Sequence, residues 1–162
     1  MNELKTRMTV HRQHIIILSK AEFSDNTNNK PKYIHKCGMN CETCKTLQEG
    51  STIKFDNGKK TFVVKENFSC CSRNLLYCMT CVKCEAQYIG ETGNELKTRM
   101  TVHRQQIKHA DVRHLKVSKH MFECNRGFTV FPFYKLHSNA SPIDRRAKEQ
   151  YFINIFKPTL NA

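Results

Sequence analysis

Six side chains between residues 77 and 161 are of the types that hydrolysis of a phosphate diester requires. They comprise two phenols, a guanidinium, an imidazole, a carboxylate and a carboxamide: Tyr77, Tyr88, Arg99, His103, Glu149 and Asn161. Such a hydrolysis needs an activated water, a cation beside the developing negative charge and stabilisation of the leaving oxygen. Taken singly, each side chain is typical of packing or of a solvated surface, so the elements that carry them decide the interpretation.

The two tyrosines lie on two predicted strands that a short turn joins. The segments LLYCMT and AQYIG flank a C-x2-C spacing, which predicts a β-hairpin with Tyr77 and Tyr88 eleven positions apart. A helix is predicted over about 94 to 108, with residues 92 to 94 as its cap. Helical spacing then places Arg99 at the margin of one face, which is formed by Leu96, Met100, His103 and Ile107.

Three further elements are predicted around this unit. A strand is expected over 128 to 136, with Pro132 favouring the edge of the sheet. Ser141 followed by Pro142 indicates the start of a helix that extends to about Phe156. Upstream, apolar residues alternate on both sides of an Asn57-Gly58 turn and predict another β-hairpin: Ile53, Phe55, Phe62 and Val64.

The segment LLYCMTCVKCEAQYIGET followed by ELKTRMTVHR resembles the core of GIY-YIG nucleases, especially those that Penelope-like retroelements encode. The family motif corresponds to Leu75-Leu76-Tyr77 and to Tyr88-Ile89-Gly90, and the resemblance covers residues 73 to 162. It implies an α/β (α+β) fold with a small three-stranded antiparallel sheet flanked by helices. Leu75 stands where the family often has glycine, and we expect altered packing there.

The resemblance also implies a role for each of the six side chains. Tyr77 would act as general base; because a tyrosine pKa is ordinarily near 10, a nearby cation must favour the phenolate or proton transfer must be coupled to attack. Arg99 would bind the phosphate through two hydrogen bonds, and Glu149 would hold Mg²⁺ or Mn²⁺, which prefer oxygen ligands. Tyr88 and His103 would hydrogen-bond the phosphate or the attacking water, and Asn161 would orient the site.

Cysteine spacing predicts zinc sites, because reduced thiolates in C-x2-C spacing are soft ligands suited to tetrahedral zinc. One candidate set joins the turn between the motif strands to a downstream H-x3-C pair: Cys81, Cys84, His120 and Cys124. Retroelement nucleases of this kind carry a similar metal knuckle that later histidines complete, and here Cys124 occupies the second position. Cys78 lies within a predicted strand and is interpreted as a buried free cysteine.

A second candidate zinc set lies upstream, where the Asn57-Gly58 hairpin brings together Cys37, Cys41, Cys44 and Cys70. From the sequence alone, His35 or Cys71 serves equally well as a ligand, so the pairing stays open. His109 and His114 fall in a basic, irregular stretch and are interpreted as solvated or phosphate-contacting side chains.

The composition indicates nucleic acid as the partner. The chain has 27 Lys and Arg against 14 Asp and Glu, a formal net charge of +13, and such a field attracts polyanions. The longest apolar run, residues 15 to 18, is far shorter than the roughly 20 residues that cross a bilayer, and no signal peptide is recognised. We therefore expect a protein that binds DNA, uses no membrane and is intracellular, in the nucleus.

Residues 2–13 recur without change at 94–105, so the chain carries an internal repeat. A stacked array needs about three or more repeats, and a duplicated or rearranged gene fragment explains a single shared stretch better. The first copy lacks the strands that precede the second. We expect residues 1–34 to be a duplicated fragment and polar linker, 35–72 a Cys-rich hairpin extension and 73–162 the catalytic domain.

Three functions compete at this point. The first is a metal-dependent DNA endonuclease that nicks a strand so that a reverse transcriptase from the parent element can prime at the new 3′ end. Since no polymerase motif is present, the chain is interpreted as a C-terminal fragment of such an element or a domesticated remnant. The second is a zinc-stabilised basic module that binds nucleic acid without turnover. A DNA repair nuclease subunit ranks third, because it requires partner domains.

Overall fold

A computed structural model describes residues 17–18, 33–55, 60–109 and 115–162. Within these residues the strands are β1 (Ile17–Leu18), β2 (Ile34–His35), β3 (Thr52–Lys54), β4 (Thr61–Val63), β5 (Phe68–Ser69), β6 (Leu75–Cys81), β7 (Gln87–Thr92) and β8 (Phe128–Lys135). The helices are α1 (Glu42–Thr46), α2 (Leu96–Lys108), α3 (Lys116–Cys124) and α4 (Pro142–Phe156), and a 3-10 helix follows at Thr159–Asn161.

The predicted three-stranded antiparallel sheet is present, and the α+β fold class is confirmed. Its strand order is β7-β6-β8, with β6 and β7 forming the predicted hairpin. All residues of β6 except Thr80 are buried, which explains its near-continuous apolar sequence. Strand β8 lies at the edge of this sheet, as Pro132 predicts, because a residue without an N–H is tolerated there.

Helix α2 spans Leu96–Lys108 and so begins two residues after the predicted start at about 94, but the predicted cap at residues 92–94 is wrong. Residues 92–94 close a turn through the Thr92 hydroxyl instead. The first N–H groups of the helix, from Leu96 and Lys97, donate to the backbone carbonyl oxygens of Ser72 (3.0 Å) and Cys70 (2.8 Å). The segment before β6 therefore caps α2. Burial of the predicted face is confirmed for Leu96, Met100 and His103.

Helix α4 has the predicted bounds. The Ser141 hydroxyl accepts a hydrogen bond from the Asp144 N–H, and the Asp144 carboxylate accepts one from the Ser141 N–H. This capping box satisfies N–H groups that a helix start otherwise leaves without partners. The helix ends at Phe156, where Lys157 adopts a left-handed conformation with φ of 48°.

The Cys-rich extension contains the predicted hairpin. Strands β3 and β4 pair with Ile53 opposite Phe62, while the turn at 56–59 lies outside the described residues. Strand β1 pairs with β4, so part of the 1–34 segment joins the sheet of the extension. Strand β2 pairs in parallel with β5.

The extension and the three-stranded sheet share one hydrophobic core. The Phe55 ring stacks on Phe156 with centroids 3.8 Å apart, and Phe62 meets Phe152 edge-on at 5.7 Å. Burial of each such ring stabilises the fold by roughly 1.5–3 kcal/mol. Leu75 is fully buried in this core, and Cys78 is buried there as expected.

Candidate active site and metal centres

Tyr77 lies at the middle of the central strand, with its hydroxyl between two side chains of α2. The Arg99 Nε donates to the hydroxyl oxygen at 3.0 Å, and the His103 Nε2 lies 2.8 Å from the same oxygen. Arg99 and His103 are one helical turn apart, so a single face of α2 presents both to the sheet. The Tyr77 side chain is fully buried.

Gly90 of the second motif makes this placement possible. It lies directly opposite Tyr77 across the β6–β7 pair. A Cβ atom at position 90 would approach the Tyr77 hydroxyl to 2.5 Å and the Tyr88 ring to 2.8 Å, and real side chains do not tolerate such distances. The glycine therefore leaves room for both phenols on one face of the sheet.

His103 is a neutral imidazole in this environment. Burial lowers its pKa to about 3, and the positive charges of Arg99 and Arg104 act in the same direction. Its Nδ1 is buried and has no hydrogen-bond partner among the described residues. At neutral pH, His103 can therefore exchange a proton with Tyr77 without starting from a charged form.

Both tyrosines are held as neutral phenols. Burial raises the pKa of Tyr77 far above its usual value, the neighbouring Tyr88 adds to the effect, and Arg99 opposes it without outweighing it. Burial is also the largest cause that raises the pKa of Tyr88, and the negative charge of Glu149 raises it further. Of the two alternatives for Tyr77, this environment disfavours a stable phenolate and favours proton transfer coupled to attack.

Glu149 from α4 brings a carboxylate close enough to Tyr77, Tyr88 and Arg99 for their charges to act on one another. Burial raises its pKa to about 7, and the charge of Glu91 adds to the rise, whereas the Glu91 N–H and Arg99 oppose it. The neighbouring Glu91 carboxylate disfavours the ionised form of the partly buried Glu149. A hard divalent cation would relieve this repulsion, so the donor set fits Mg²⁺ or Mn²⁺.

Two neighbours of the site, Glu91 and Arg145, were not predicted from the sequence. The Arg145 Nε donates to a Glu91 carboxylate oxygen at 2.7 Å, and its Nη1 donates to the Asn74 side chain and to a backbone carbonyl. The Arg145 guanidinium packs over Gly93. A Cβ atom at position 93 would lie 2.7 Å from the guanidinium carbon. The close spacing of Gly90 and Gly93 was the available signal, since each glycine admits a large side chain from elsewhere.

Asn161 is placed differently from the other five predicted residues. Its side-chain oxygen accepts from the Ile89 N–H at 2.7 Å, and its side-chain nitrogen donates to the Ile89 carbonyl oxygen at 2.8 Å. The carboxamide thus extends the sheet at the outer side of β7 as a backbone strand would. It can position the strand that carries Tyr88 and Gly90, but it does not join the group around the Tyr77 hydroxyl.

Four ligand atoms of the second half of the chain converge next to the motif hairpin, and we call them the knuckle cluster: Cys81, Cys84, His120 and Cys124. All lie within 4.8 Å of one another, and the His120 Nε2 is 3.3 Å from the Cys84 Sγ and 3.5 Å from the Cys124 Sγ. Zinc–sulfur bonds of about 2.3 Å place the sulfur atoms of a tetrahedral site about 3.8 Å apart. The cluster therefore fits zinc.

A second group, which we call the thiol cluster, has the same compactness: Cys37, Cys41, Cys44 and Cys70. Cys37 and Cys44 have their Sγ atoms 3.6 Å apart. Of the two alternative ligands, His35 faces Asn67, and the Cys71 thiol accepts a hydrogen bond from the Lys97 Nζ at 3.5 Å. The structure thus gathers Cys70 with the other three thiols. His109 is exposed at the end of α2, and His114 lies outside the described residues.

A family model described as the GIY-YIG catalytic domain matches residues 73–161, which is more than half of the chain. Neither the curated proteins nor the solved structures gave a significant match. In the part of the chain that the structure describes, no helix is long and apolar enough to cross a bilayer.

Proposed function

The chain belongs to the GIY-YIG catalytic domain family, and we propose that it is a metal-dependent DNA endonuclease that nicks one strand of its substrate. Membership implies nuclease activity in general and DNA as the substrate. The observation that carries the proposal is the Tyr77 hydroxyl held between the Arg99 guanidinium and a neutral His103. This arrangement supplies a proton acceptor and a phosphate-binding cation at one point.

In the proposed reaction, phosphate binding draws the Arg99 guanidinium off the buried hydroxyl and lets a water reach Tyr77. The water oxygen bonds to phosphorus as the bond to the 3′ oxygen breaks. A proton of this water passes to the Tyr77 oxygen while the phenolic proton passes to His103 Nε2, and the departing 3′ oxyanion takes a proton from solvent water. The imidazole starts neutral and can accept the phenolic proton once Arg99, whose charge helps to lower the His103 pKa, has moved onto the phosphate. No phenolate therefore has to form in advance.

Glu149 is the residue that would hold Mg²⁺ or Mn²⁺, with Glu91 beside it. A hard divalent ion bound there supplies Lewis-acid stabilisation of the negative charge that develops on the phosphate. The raised pKa of Glu149 supports this assignment, because a carboxyl whose ionised form is disfavoured gains most from a nearby cation. The knuckle and thiol clusters would hold structural Zn²⁺.

A Penelope-like retroelement origin is part of the proposal. The support is the placement of a metal-ligand turn between the two motif strands, with its ligand set completed by His120 and Cys124. In that setting the nick would give a reverse transcriptase a 3′ end from which to copy, and the protein would act in the nucleus.

Complete burial of the Tyr77 hydroxyl favours one competing function, a basic DNA-binding module without turnover. In that case Arg99 would stay on Tyr77, and the net charge of +13 would still give DNA affinity.

A nicking assay separates the two functions. Zinc-loaded protein is incubated with supercoiled plasmid and Mg²⁺ or Mn²⁺, alongside Glu149→Ala and the surface control Glu49→Ala. We expect wild type and Glu49→Ala to give nicked circles and Glu149→Ala to lose at least about a hundredfold in rate, the size expected when a group that stabilises transition-state charge is removed. DNA binding without nicking by all three would establish the binding module.

A further inference from the structure

A groove of about 710 Å³ lies beside the C-terminal half of α2. The knuckle turn, the C-terminal half of α2 and the connection from α3 to β8 enclose it, with Val82, Ile107, Phe122 and Phe128 among its walls. Val82 is 57% exposed and Phe122 50% exposed. The groove therefore presents apolar and aromatic surface to solvent.

The rim of this groove is strongly basic. Among the described residues that line it, none is a carboxylate and four are cations: Lys45, Arg104, Lys108 and Arg126. Glu42 pairs with Lys45 just outside, and the Arg104 guanidinium carbon lies 6.0 Å from the centre of the Phe128 ring. A positive rim around an apolar wall suits a ligand that has both anionic and flat apolar parts.

We propose that this groove binds an unpaired nucleotide of the DNA substrate, with the base on the apolar wall and its phosphates on the rim cations. The inference rests on the proposed endonuclease function and names the substrate class: DNA with disrupted pairing near the cleavage point. An intact duplex keeps its bases stacked and offers the rim only phosphates, which leaves the apolar wall exposed. An unstacked base uses both surfaces.

The groove lies at a suitable distance from the scissile phosphate. Helix α2 carries Arg99 near its start and Lys108 at its end, and nine residues of helix span about 13 Å. At about 3.4 Å of rise per nucleotide, that separation corresponds to about four nucleotides. A strand whose phosphate lies on Arg99 can therefore reach the groove with a nearby base.

Binding to two DNA duplexes of equal length and charge tests the proposal. One is fully paired and the other carries a central run of mismatches, and the zinc-loaded full chain carries Glu149→Ala to prevent turnover. We expect fluorescence anisotropy to show at least about tenfold tighter binding of the mismatched duplex, the size of one base–aromatic stack. Phe122→Ala should remove this preference and Phe122→Tyr should retain it. Tyr151→Ala, an exposed aromatic on α4, is the matched control and should leave it unchanged.

Equal affinity for the two duplexes, or a preference that survives Phe122→Ala, would overturn the proposal. A dimer that Phe122→Ala dissociates without a change in DNA binding would identify the groove as a contact between copies, and an acidic peptide that occupies it in preference to the mismatched duplex would also refute it. Plasmid nicking by the wild type without a mismatch preference would support the endonuclease proposal and refute nucleotide binding in the groove. A mismatch preference without nicking would support nucleotide binding and refute the endonuclease proposal.

Discussion

The thiol cluster and the knuckle cluster offer similar ligand sets but support different parts of the molecule. All four residues of the thiol cluster precede residue 73, outside the family match, whereas the knuckle cluster lies inside it. Yet the Cys70 carbonyl oxygen accepts the Lys97 N–H, two residues before Arg99. The cluster outside the family domain therefore holds the start of the helix that carries Arg99, the proposed phosphate-binding cation.

The knuckle cluster is coupled to the catalytic group less directly. It closes the turn after β6 and ties it to α3, and the Val82 N–H donates to the Gly127 carbonyl oxygen. Four residues of strand separate Cys81 from Tyr77, or about 13 Å. Its nearest functional neighbour is the basic groove, since Val82 and Phe122 belong to segments that its ligands fix. Under the two proposals, the thiol cluster supports catalysis and the knuckle cluster supports contact with the substrate.

Cys70→Ser should have the largest effect, because it removes a ligand and disturbs the cap of α2 together. We expect bound zinc to fall from two ions to one, the thermal midpoint to drop by several degrees and plasmid nicking to fall at least about a hundredfold, since small displacements of catalytic groups cost that much. Zinc quantitation, thermal unfolding and the nicking assay measure these outcomes.

Cys71→Ser is the matched control for this substitution. It changes the adjacent cysteine, which is exposed and lies outside the thiol cluster. It should bind two zinc ions and cut at the wild-type rate. Loss of one zinc from Cys70→Ser with full nicking would show that the cluster does not position α2.

Cys84→Ser should have a smaller effect and a different one. Cys84 is exposed, so its loss removes a zinc ligand without opening the core. We expect nicking of plasmid to stay within about threefold of wild type, while the preference for mismatched DNA falls by about tenfold, because the knuckle cluster fixes the groove wall. If Cys84→Ser abolished nicking as Cys70→Ser does, the division of roles between the clusters would be wrong.

The sequence predicted the parts of this arrangement that depend on local spacing. Arg99 and His103 face the sheet together because they are one turn apart, and the hairpin follows from alternating strands around a short turn. No comparable signal in the sequence marked the contacts between residues that are distant along the chain. The Glu91–Arg145 ion pair joins residues 54 positions apart, and the Asn161–Ile89 contact spans 72.

The thiol cluster illustrates the same limit. Sequence spacing alone could not show whether His35, Cys70 or Cys71 is the fourth ligand. All three lie close to the hairpin in the sequence, so each could reach the other thiols. Packing made the choice: Cys70 is buried beside the start of α2, whereas Cys71 points to Lys97 at the surface. The cap of α2 was mispredicted for a related reason, since backbone carbonyls distant in sequence replaced the local side chain.

The lowered pKa of His103 gives the fold an acid sensitivity that is distinct from zinc loss at the two clusters. The folded-state pKa of His103 is about 3, below its usual 6.5, so the unfolded chain binds more protons between these values. The contribution of neutral His103 to the free energy of unfolding is therefore fully present above pH 6.5 and is lost as the pH falls toward 3, by up to about 5 kcal/mol. Zinc release from the clusters adds its own acid sensitivity.

His103→Gln isolates the contribution of the imidazole, because glutamine keeps a hydrogen-bonding group beside Tyr77 without a titratable charge. Between pH 7 and pH 5 we expect the thermal midpoint of wild type to fall more steeply than that of His103→Gln, with each protein's zinc content measured at every pH. His137→Gln, an exposed histidine beside Asn139, should follow wild type. Identical slopes for wild type and His103→Gln would mean that acid unfolding begins entirely at the clusters and that His103 is not held neutral by burial.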